Sequence, residues 1–459
     1  MSQITHQKGL ASSTPTGLKR WFLSRLMTYI GSERRLNKLR NKYENKRKNQ
    51  GREHVIEYFH QVDDGYSHLA LQILERLILR YDVDIIVYIV PAIQDANFPE
   101  PELLLDLSHK DASVIAPFLG LTFPHVEGRP TPKLIAKTTA FLCHLPQEKL
   151  RTVGVKASAA MWSADETMLD MLISKYGSTT LENVAIKLDE GVKRRTQLQH
   201  YSGAMFYYEG EWYWGVDRIY HLENRLSELG AVKQSELPCV VPRPEILSQF
   251  PQSARHLTLE YYPSLRSPYT AISWSPTMKL VADSDIKINI CPVLPMVMRG
   301  VPVTKNKAFY IFTDTAREAR ELGVSYGTFY DPIGTPVLQA LSLWHWAKQY
   351  DKDIELLGAF LNAAFSAGIN TNTFSGMKHV VEAVGLDWKE AMLHLTDDSW
   401  QTQIEAHRQK MYEHGLWGVP SYRLLDEHGQ EIASGWGQDR LWYIAQKIYA
   451  YSNEAKLMS

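Results

Sequence analysis

Cysteine is scarce in this chain. Only Cys143, Cys239 and Cys291 occur in 459 residues, and no two of them form a C-x-x-C pair. A disulfide framework, a zinc knuckle and a dithiol redox centre therefore lack support. Such usage fits a reducing compartment, so a cytoplasmic location is expected. No apolar run is long enough to span a bilayer, and no secretory h-region follows Met1. His345, His379 and His407 do not stand at metal-ligand intervals, so no metal is expected. What remains is ordinary: 44% hydrophobic and 22% charged residues, the balance of a globular protein of two to three domains.

The charge is unevenly placed. Residues 1–53 hold 13 Lys and Arg against 3 Asp and Glu, whereas the whole chain nets -1. The pattern is a basic arm on a mildly acidic body. Met1 to Gly17 is rich in Ser, Thr and Gly and reads as disordered. Leu18 to Lys48 reads as helix, with Trp21, Phe22, Leu26, Tyr29 and Ile30 at three-to-four spacing. The simplest expectation is a helix that docks on the body and keeps its Lys and Arg in water. A membrane-surface contact is the functional alternative. Specific nucleic-acid binding is not expected, because no recognition motif is present.

After the arm the chain repeats itself. His54-Val-Ile-Glu-Tyr-Phe-His-Gln-Val-Asp-Asp-Gly-Tyr-Ser matches Leu257-Thr-Leu-Glu-Tyr-Tyr-Pro-Ser-Leu-Arg-Ser-Pro-Tyr-Thr at an offset of 203 residues. Asp82-Val-Asp-Ile-Ile matches Asp283-Ser-Asp-Ile-Lys, and Trp214-Gly-Val-Asp-Arg matches Trp436-Gly-Gln-Asp-Arg. Three anchors in one order predict tandem copies of one domain. The prolines of Glu236-Leu-Pro-Cys-Val-Val-Pro-Arg-Pro suit a linker between them. Each copy reads as strand, helix, strand, a helical stretch, a β-hairpin and a last helix. The opening βαβ unit implies a parallel strand pair.

Ser267-Pro268-Tyr269 follows the second copy's first strand. Serine accepts from the free N–H groups of a helix start, and proline is at home in the first helical position. Ser267 thus stands at a helix mouth, where the dipole favours negative charge. It is at least a helix cap. Asp314 and Arg317 share one helical face and read as a structural ion pair. Trp344 and Trp346 read as core.

The second copy resembles the thioredoxin-like group that contains 2-hydroxychromene-2-carboxylate isomerase and kappa-class glutathione transferase, whose fold the disulfide oxidoreductase DsbA shares. The resemblance rests on Ser267-Pro-Tyr; Lys307-x-x-Tyr310-x-x-x-Asp314-x-x-Arg317; His414-Gly-Leu-Trp-Gly-Val-Pro420; and Gly435-Trp-Gly-Gln-Asp439-Arg. It implies an α/β fold of two tandem thioredoxin-like domains, each with a helical insertion. The basic arm would cover 1–52, a degenerate copy 53–235, and the copy with the active site 255–455. It also implies glutathione as the cofactor. Ser267 would hydrogen-bond the glutathione sulfur and favour its thiolate. Pro420 would be a cis-proline that turns Val419 towards the ligand, so that its main chain pairs with the glutathione cysteine. Gln438 and Asp439 would hold the γ-glutamyl ammonium, and Lys307 a carboxylate. Tyr269 and Trp436 would line the substrate cleft.

The first copy departs at the same places. Asp64-Gly-Tyr replaces Ser-Pro-Tyr, Ser202-Gly-Ala204 replaces Gly-Val-Pro, and of the Lys307-to-Arg317 motif only Asp111 remains. A carboxylate repels a thiolate, so this copy is expected to be catalytically silent. The two copies are expected to pack on each other as two family subunits would. The expected function is a glutathione-dependent isomerase or transferase acting on a conjugated or aromatic-derived small molecule. The alternative is a non-catalytic thioredoxin-fold binding or chaperone-like protein at a membrane surface.

Overall fold

A computed structural model describes residues 16–458 apart from 93–97, 125–127 and 302, with side chains to 453. The disorder expected for Met1 to Gly17 falls almost wholly outside the described residues. The chain divides into two compact units. One is Asn37–Pro244; the other is Glu245–Ser459 together with the N-terminal stretch up to Leu36.

The N-terminal unit is built on a four-stranded sheet. Strand β1 (Val55–Gln61) runs parallel to β2 (Asp84–Val90). It runs antiparallel to β3 (Met205–Tyr208), which pairs antiparallel with β4 (Glu211–Trp214). The order is β2-β1-β3-β4. The C-terminal unit repeats this with β5 (Thr258–Tyr262), β6 (Lys287–Ile290), β7 (Ser421–Leu425) and β8 (Glu431–Trp436), in the order β6-β5-β7-β8. β5 is parallel to β6 and antiparallel to β7, and β7 is antiparallel to β8. Two mixed α/β sheets therefore share one strand order and one set of directions. The aromatic and β-branched residues of β1 and β5 suit central strands buried on both faces.

The repeated glutamates mark the alignment of the two sheets. Glu57 on β1 takes a two-pronged pair from Arg194, and Glu260 on β5 takes Arg423 at 2.6 Å together with Lys410. Burial pushes the Glu260 carboxyl up, but Lys410, Tyr262 and Arg423 outweigh it and hold it below its ordinary value.

Each crossover from first to second strand is helical. In the C-terminal unit it is one helix, Pro268–Ser284. In the N-terminal unit the expected single helix is two, α3 (Gly65–Gln72) and Leu74–Arg80. At Ile73 the N–H bonds back only three residues, to Ala70 C=O, and the first helix closes there. Between β6 and β7 lie helices Lys305–Leu322, Thr335–Ala347, Asp353–Phe365, Phe374–Glu382 and Gln401–Glu413. Trp344 and Trp346 are buried there, as core residues.

The basic arm corrects the sequence reading twice. It is not one helix but α1 (Gly17–Gly31) and α2 (Glu33–Asn49), broken at Ser32, whose ψ of 142° is extended. The face that docks is also the polar one. Arg20 is 1% exposed and donates to Asp331 C=O at 2.6 Å. Ser24 Oγ accepts from Asp331 N–H, and Thr28 Oγ1 from Phe329 N–H, both at 3.0 Å. Leu18, Trp21, Phe22, Leu26 and Tyr29 stay exposed. In the irregular segment Phe329–Asp331 the Tyr330 N–H goes to Ala364 C=O, while the Phe329 N–H, the Asp331 N–H and the Asp331 C=O are met by side chains of α1. Polar complementarity therefore sets which side faces in.

Candidate functional site

The β5–β7 register pairs Tyr262 with Ser421. That brings the turn after β5 and the residues before β7 to the same end of the sheet. Ser267 sits on this turn with φ -87° and ψ 118°, and its Oγ accepts from Thr270 N–H at 3.2 Å. Pro268 takes the first helical position, as the Ser-Pro pair predicts. Ser267 is half-buried, and its own N–H is held by Ser264 C=O at 2.9 Å. The preceding residue, Arg266, makes a two-pronged pair with buried Asp331 at 2.8 and 2.9 Å. The sequence reading missed this anchor because 65 residues separate its partners.

Tyr269 points its hydroxyl at Asp314 Oδ2, 2.7 Å away, and Arg317 holds Asp314 Oδ1 at 2.6 Å. The ion pair read from the sequence is present, and it also fixes the tyrosine. The N-terminal unit has the same arrangement at the same spacing: Tyr66 donates to Asp111 Oδ2 at 2.9 Å.

At the same end of the sheet, just before β7, the Val419–Pro420 bond is cis, as the family resemblance implies. The Val419 side chain rests on a buried cluster of Tyr262, Cys291, Val293, Met411 and Leu416. Among the described residues no hydrogen bond uses the Val419 N–H or C=O. Pro420 C=O accepts from Gly437 N–H at 2.9 Å, which ties the turn after β8 to the same place.

Three separate motifs meet in an aromatic column. The Lys307 ammonium lies 5.2 Å from the centre of the Trp417 ring, and Trp417 stands edge-on to Trp436 with centroids 5.1 Å apart. Lys307 is only 8% exposed, so its placement is set by packing and not by a free surface. Gln438 is buried, and its Nε2 donates to Glu318 Oε2 at 2.8 Å. Its amide nitrogen is thus engaged by helix Lys305–Leu322. Glu318, 1% exposed, is a site residue the sequence reading missed, although it falls four residues after Asp314 on the same helical face. Asp439 is half-buried beside Arg440, 3.9 Å away. Gly437 has φ +100°, and a Cβ there would strike the Asp439 carboxylate. Glycine is therefore required at this turn.

Cys291 is buried behind Val419, and burial pushes its thiol up to about 12; burial likewise pushes Cys143 up to about 11. Neither is a thiolate near neutral pH, so neither is an activated nucleophile. Among the described residues no group of His, Cys, Asp or Glu could hold a metal ion.

In the N-terminal unit Asp64 occupies the place of Ser267. Its Oδ2 accepts from Ser67 N–H at 3.0 Å and Ser67 Oγ at 2.8 Å, capping α3. Burial lifts its carboxyl to about 6 against the pull of those bonds. Ala204 stands where Pro420 does, with φ +52°, and its C=O accepts from Gly215 as Pro420 accepts from Gly437.

Residues 258–449 match the family model of the DSBA-like thioredoxin domain. No curated protein matches the chain. Among solved structures, it is similar to a 2-hydroxychromene-2-carboxylate isomerase at 18% identity, over 44% of this chain and 99% of that one, with a TM-score of 0.38. A probable DsbA oxidoreductase from Streptomyces coelicolor matches at 17% identity over 42% and 91%, with a TM-score of 0.34. The cytosolic disulfide reductase DsbM from Pseudomonas aeruginosa, solved with GSH, matches at 15% identity over 44% and 100%, with a TM-score of 0.29.

Proposed function

We propose that the DSBA-like thioredoxin domain at residues 258–449 binds glutathione and uses its thiolate for isomerase or transferase chemistry on a conjugated small molecule. The observation that carries this reading is the unpaired main chain of Val419 at the same sheet end as the Ser267-capped helix start. A peptide-like ligand adds to such an edge as a short strand. Its sulfur then lies towards a hydroxyl and the positive end of a helix dipole, and both favour the thiolate.

The residues divide the work. Ser267 donates to the sulfur anion. Val419 N–H and C=O hold the cysteinyl main chain. Lys307 faces a carboxylate, and Asp439 the γ-glutamyl ammonium. Gln438 acts by tying the last turn to Glu318, because its amide nitrogen is already used there. Tyr269 and Trp436 bound the side on which the substrate enters. In the isomerase version the thiolate adds to the conjugated double bond, a C–S bond forms, and the π electrons move to the carbonyl oxygen. Rotation about the resulting single bond follows. Collapse of the enolate then expels the thiolate and restores glutathione. The protein's own cysteines take no part. The N-terminal unit is read as a second thioredoxin-like copy that lacks this thiolate site.

Calorimetric titration with glutathione tests the reading. Saturable binding is expected in the full chain, weakened about tenfold in Ser267→Ala, a difference of about 1.4 kcal/mol. No binding to the wild-type chain overturns it.

A second reading concerns location. No described helix is long and apolar enough to cross a membrane. The exposed Leu18, Trp21, Phe22 and Tyr29 of α1, with exposed Lys19 and Arg25 among them and no acidic residue in the helix, favour peripheral contact with an anionic lipid surface. Co-sedimentation with phosphatidylglycerol vesicles is expected, and Trp21→Ser with Phe22→Ser is expected to abolish it. Equal sedimentation of variant and wild type would rule this contact out.

A further inference from the structure

The N-terminal unit holds a cavity of about 50 Å³ next to Asp64, at the position that Ser267 occupies in the other sheet. At about 10–15 Å³ per water-sized position, it takes a group of roughly four heavy atoms. Its lining is mostly apolar, with Tyr66, Phe98, Leu104 and Trp214 among it, and Asp64 is its one charged side chain. We propose that this cavity is a binding site for a small organic ammonium ion, with Asp64 as the counter-charge and the aromatic walls around its apolar tail.

Several observations converge on a cation. Asp64 is 9% exposed, and among the described residues no cationic side chain pairs with it. Its side-chain neighbours add no positive charge, and the start of α3 offers it only main-chain N–H groups, those of Ser67 and Tyr66. Asp63, next to it, is a like charge that pushes the carboxyl further up. Tyr66 spends its hydroxyl on Asp111, and Ser67 is a neutral donor. Arg195 is directed to the C=O of Ser202, a lining residue, at 3.1 Å and not to Asp64, and burial holds His200 in its neutral form. The carboxyl is therefore a buried acid whose ionised form lacks a counter-ion. Anions, including a thiolate, are excluded by repulsion.

Asp64 caps α3, but a neutral cap would do so without burying a charge. In the C-terminal unit Ser267 caps the equivalent helix through one hydroxyl and buries no charge. A carboxylate in the same place costs desolvation, which an ammonium ligand offsets through a charge-assisted hydrogen bond. Three aromatic residues in the lining, Tyr66, Phe98 and Trp214, suit the apolar part of such a ligand. The unit that cannot stabilise a thiolate is thereby suited to the opposite charge. This inference does not depend on glutathione binding elsewhere in the chain.

Saturation-transfer NMR on the full chain at pH 8 tests it, with n-propylamine as the probe and propan-1-ol as its neutral isostere. The amine is expected to bind at least tenfold more tightly than the alcohol. Asp64→Asn, which retains an oxygen for the Ser67 bonds, is expected to remove that difference while leaving glutathione binding unchanged. Equal binding of amine and alcohol to the wild type overturns the proposal without any variant. So does an amine preference that survives in a folded Asp64→Asn chain.

Discussion

Removing the Asp331 carboxylate tests how the turn before Ser267 is held. Asp331 is 7% exposed and meets Arg266 in a two-pronged pair at 2.8 and 2.9 Å. Its charge also acts on buried Arg20, whose Nε and Nη2 have no hydrogen-bond partner among the described residues. In Asp331→Ala both guanidinium groups lose their counter-charge. Breaking a buried ion pair by truncating one partner costs about 3–5 kcal/mol. Water reaching the 23% of the Arg266 side chain that is exposed recovers part of this. A loss of about 3 kcal/mol remains, or roughly 6–12 °C in Tm for a unit of this size. Scanning calorimetry of the full chain reads it. Arg266→Met combined with Asp331→Leu should recover the part of the loss that comes from Arg266, because that guanidinium is then no longer stranded, while Arg20 still lacks its counter-charge. Burial pushes the Asp331 carboxyl up, but Arg266, the Ile333 N–H and Arg20 outweigh it and leave it below its ordinary value. Its stabilisation is therefore present above the ordinary carboxylate range and lost as the pH falls through the folded value. The gap between variant and wild type should close in acid. A Tm drop below about 2 °C, or a double variant no better than the single one, refutes the reasoning.

Ser267→Ala should cost about 1 kcal/mol of stability through the lost cap. It should also raise the pKa of bound glutathione, read by thiolate absorbance in a pH titration. Lys307→Met keeps the contact with Trp417 but removes the charge, so glutathione affinity should fall about tenfold with little change in Tm; an unchanged affinity would take Lys307 out of the site. Asp64→Asn should stabilise the N-terminal unit at pH 8. The Asp64 carboxyl is lifted from 3.8 to about 6, so its contribution is present below the unfolded value and lost as the pH rises through about 6. The gain at pH 8 should reach up to about 3 kcal/mol and vanish near pH 4, as read by urea melts at the two pH values.

The elements that sequence reasoning located well are those with local causes. The Ser267-Pro268 helix start, the strands on either side of the crossovers, and the Asp314–Arg317 pair each depend on residues a few positions apart. The offset of 203 residues between Glu57 and Glu260 reappears as two sheets of the same order, and again as matching Tyr66–Asp111 and Tyr269–Asp314 bonds. Periodicity failed where two orientations of a helix were both open. The spacing of Trp21, Phe22, Leu26 and Tyr29 correctly gave a helix but not the side that docks. The role of Gln438 changed for a similar reason. Its partner Glu318 lies 120 residues away, and no local pattern joins them.

By itself the sequence determined the repeat and the Ser267-capped helix after β5, the cap because it arises from main-chain preferences and short-range hydrogen bonds; the cis-proline was implied by the family resemblance, and the Asp64 cap was not read at all. Only the tertiary structure decided which charges are buried, which main-chain groups are left open at Val419, and that Lys307, Trp417 and Trp436 share one column. Those outcomes depend on desolvation and on partners brought together across a hundred residues or more. Such energies belong to the packed arrangement and not to any segment of the chain.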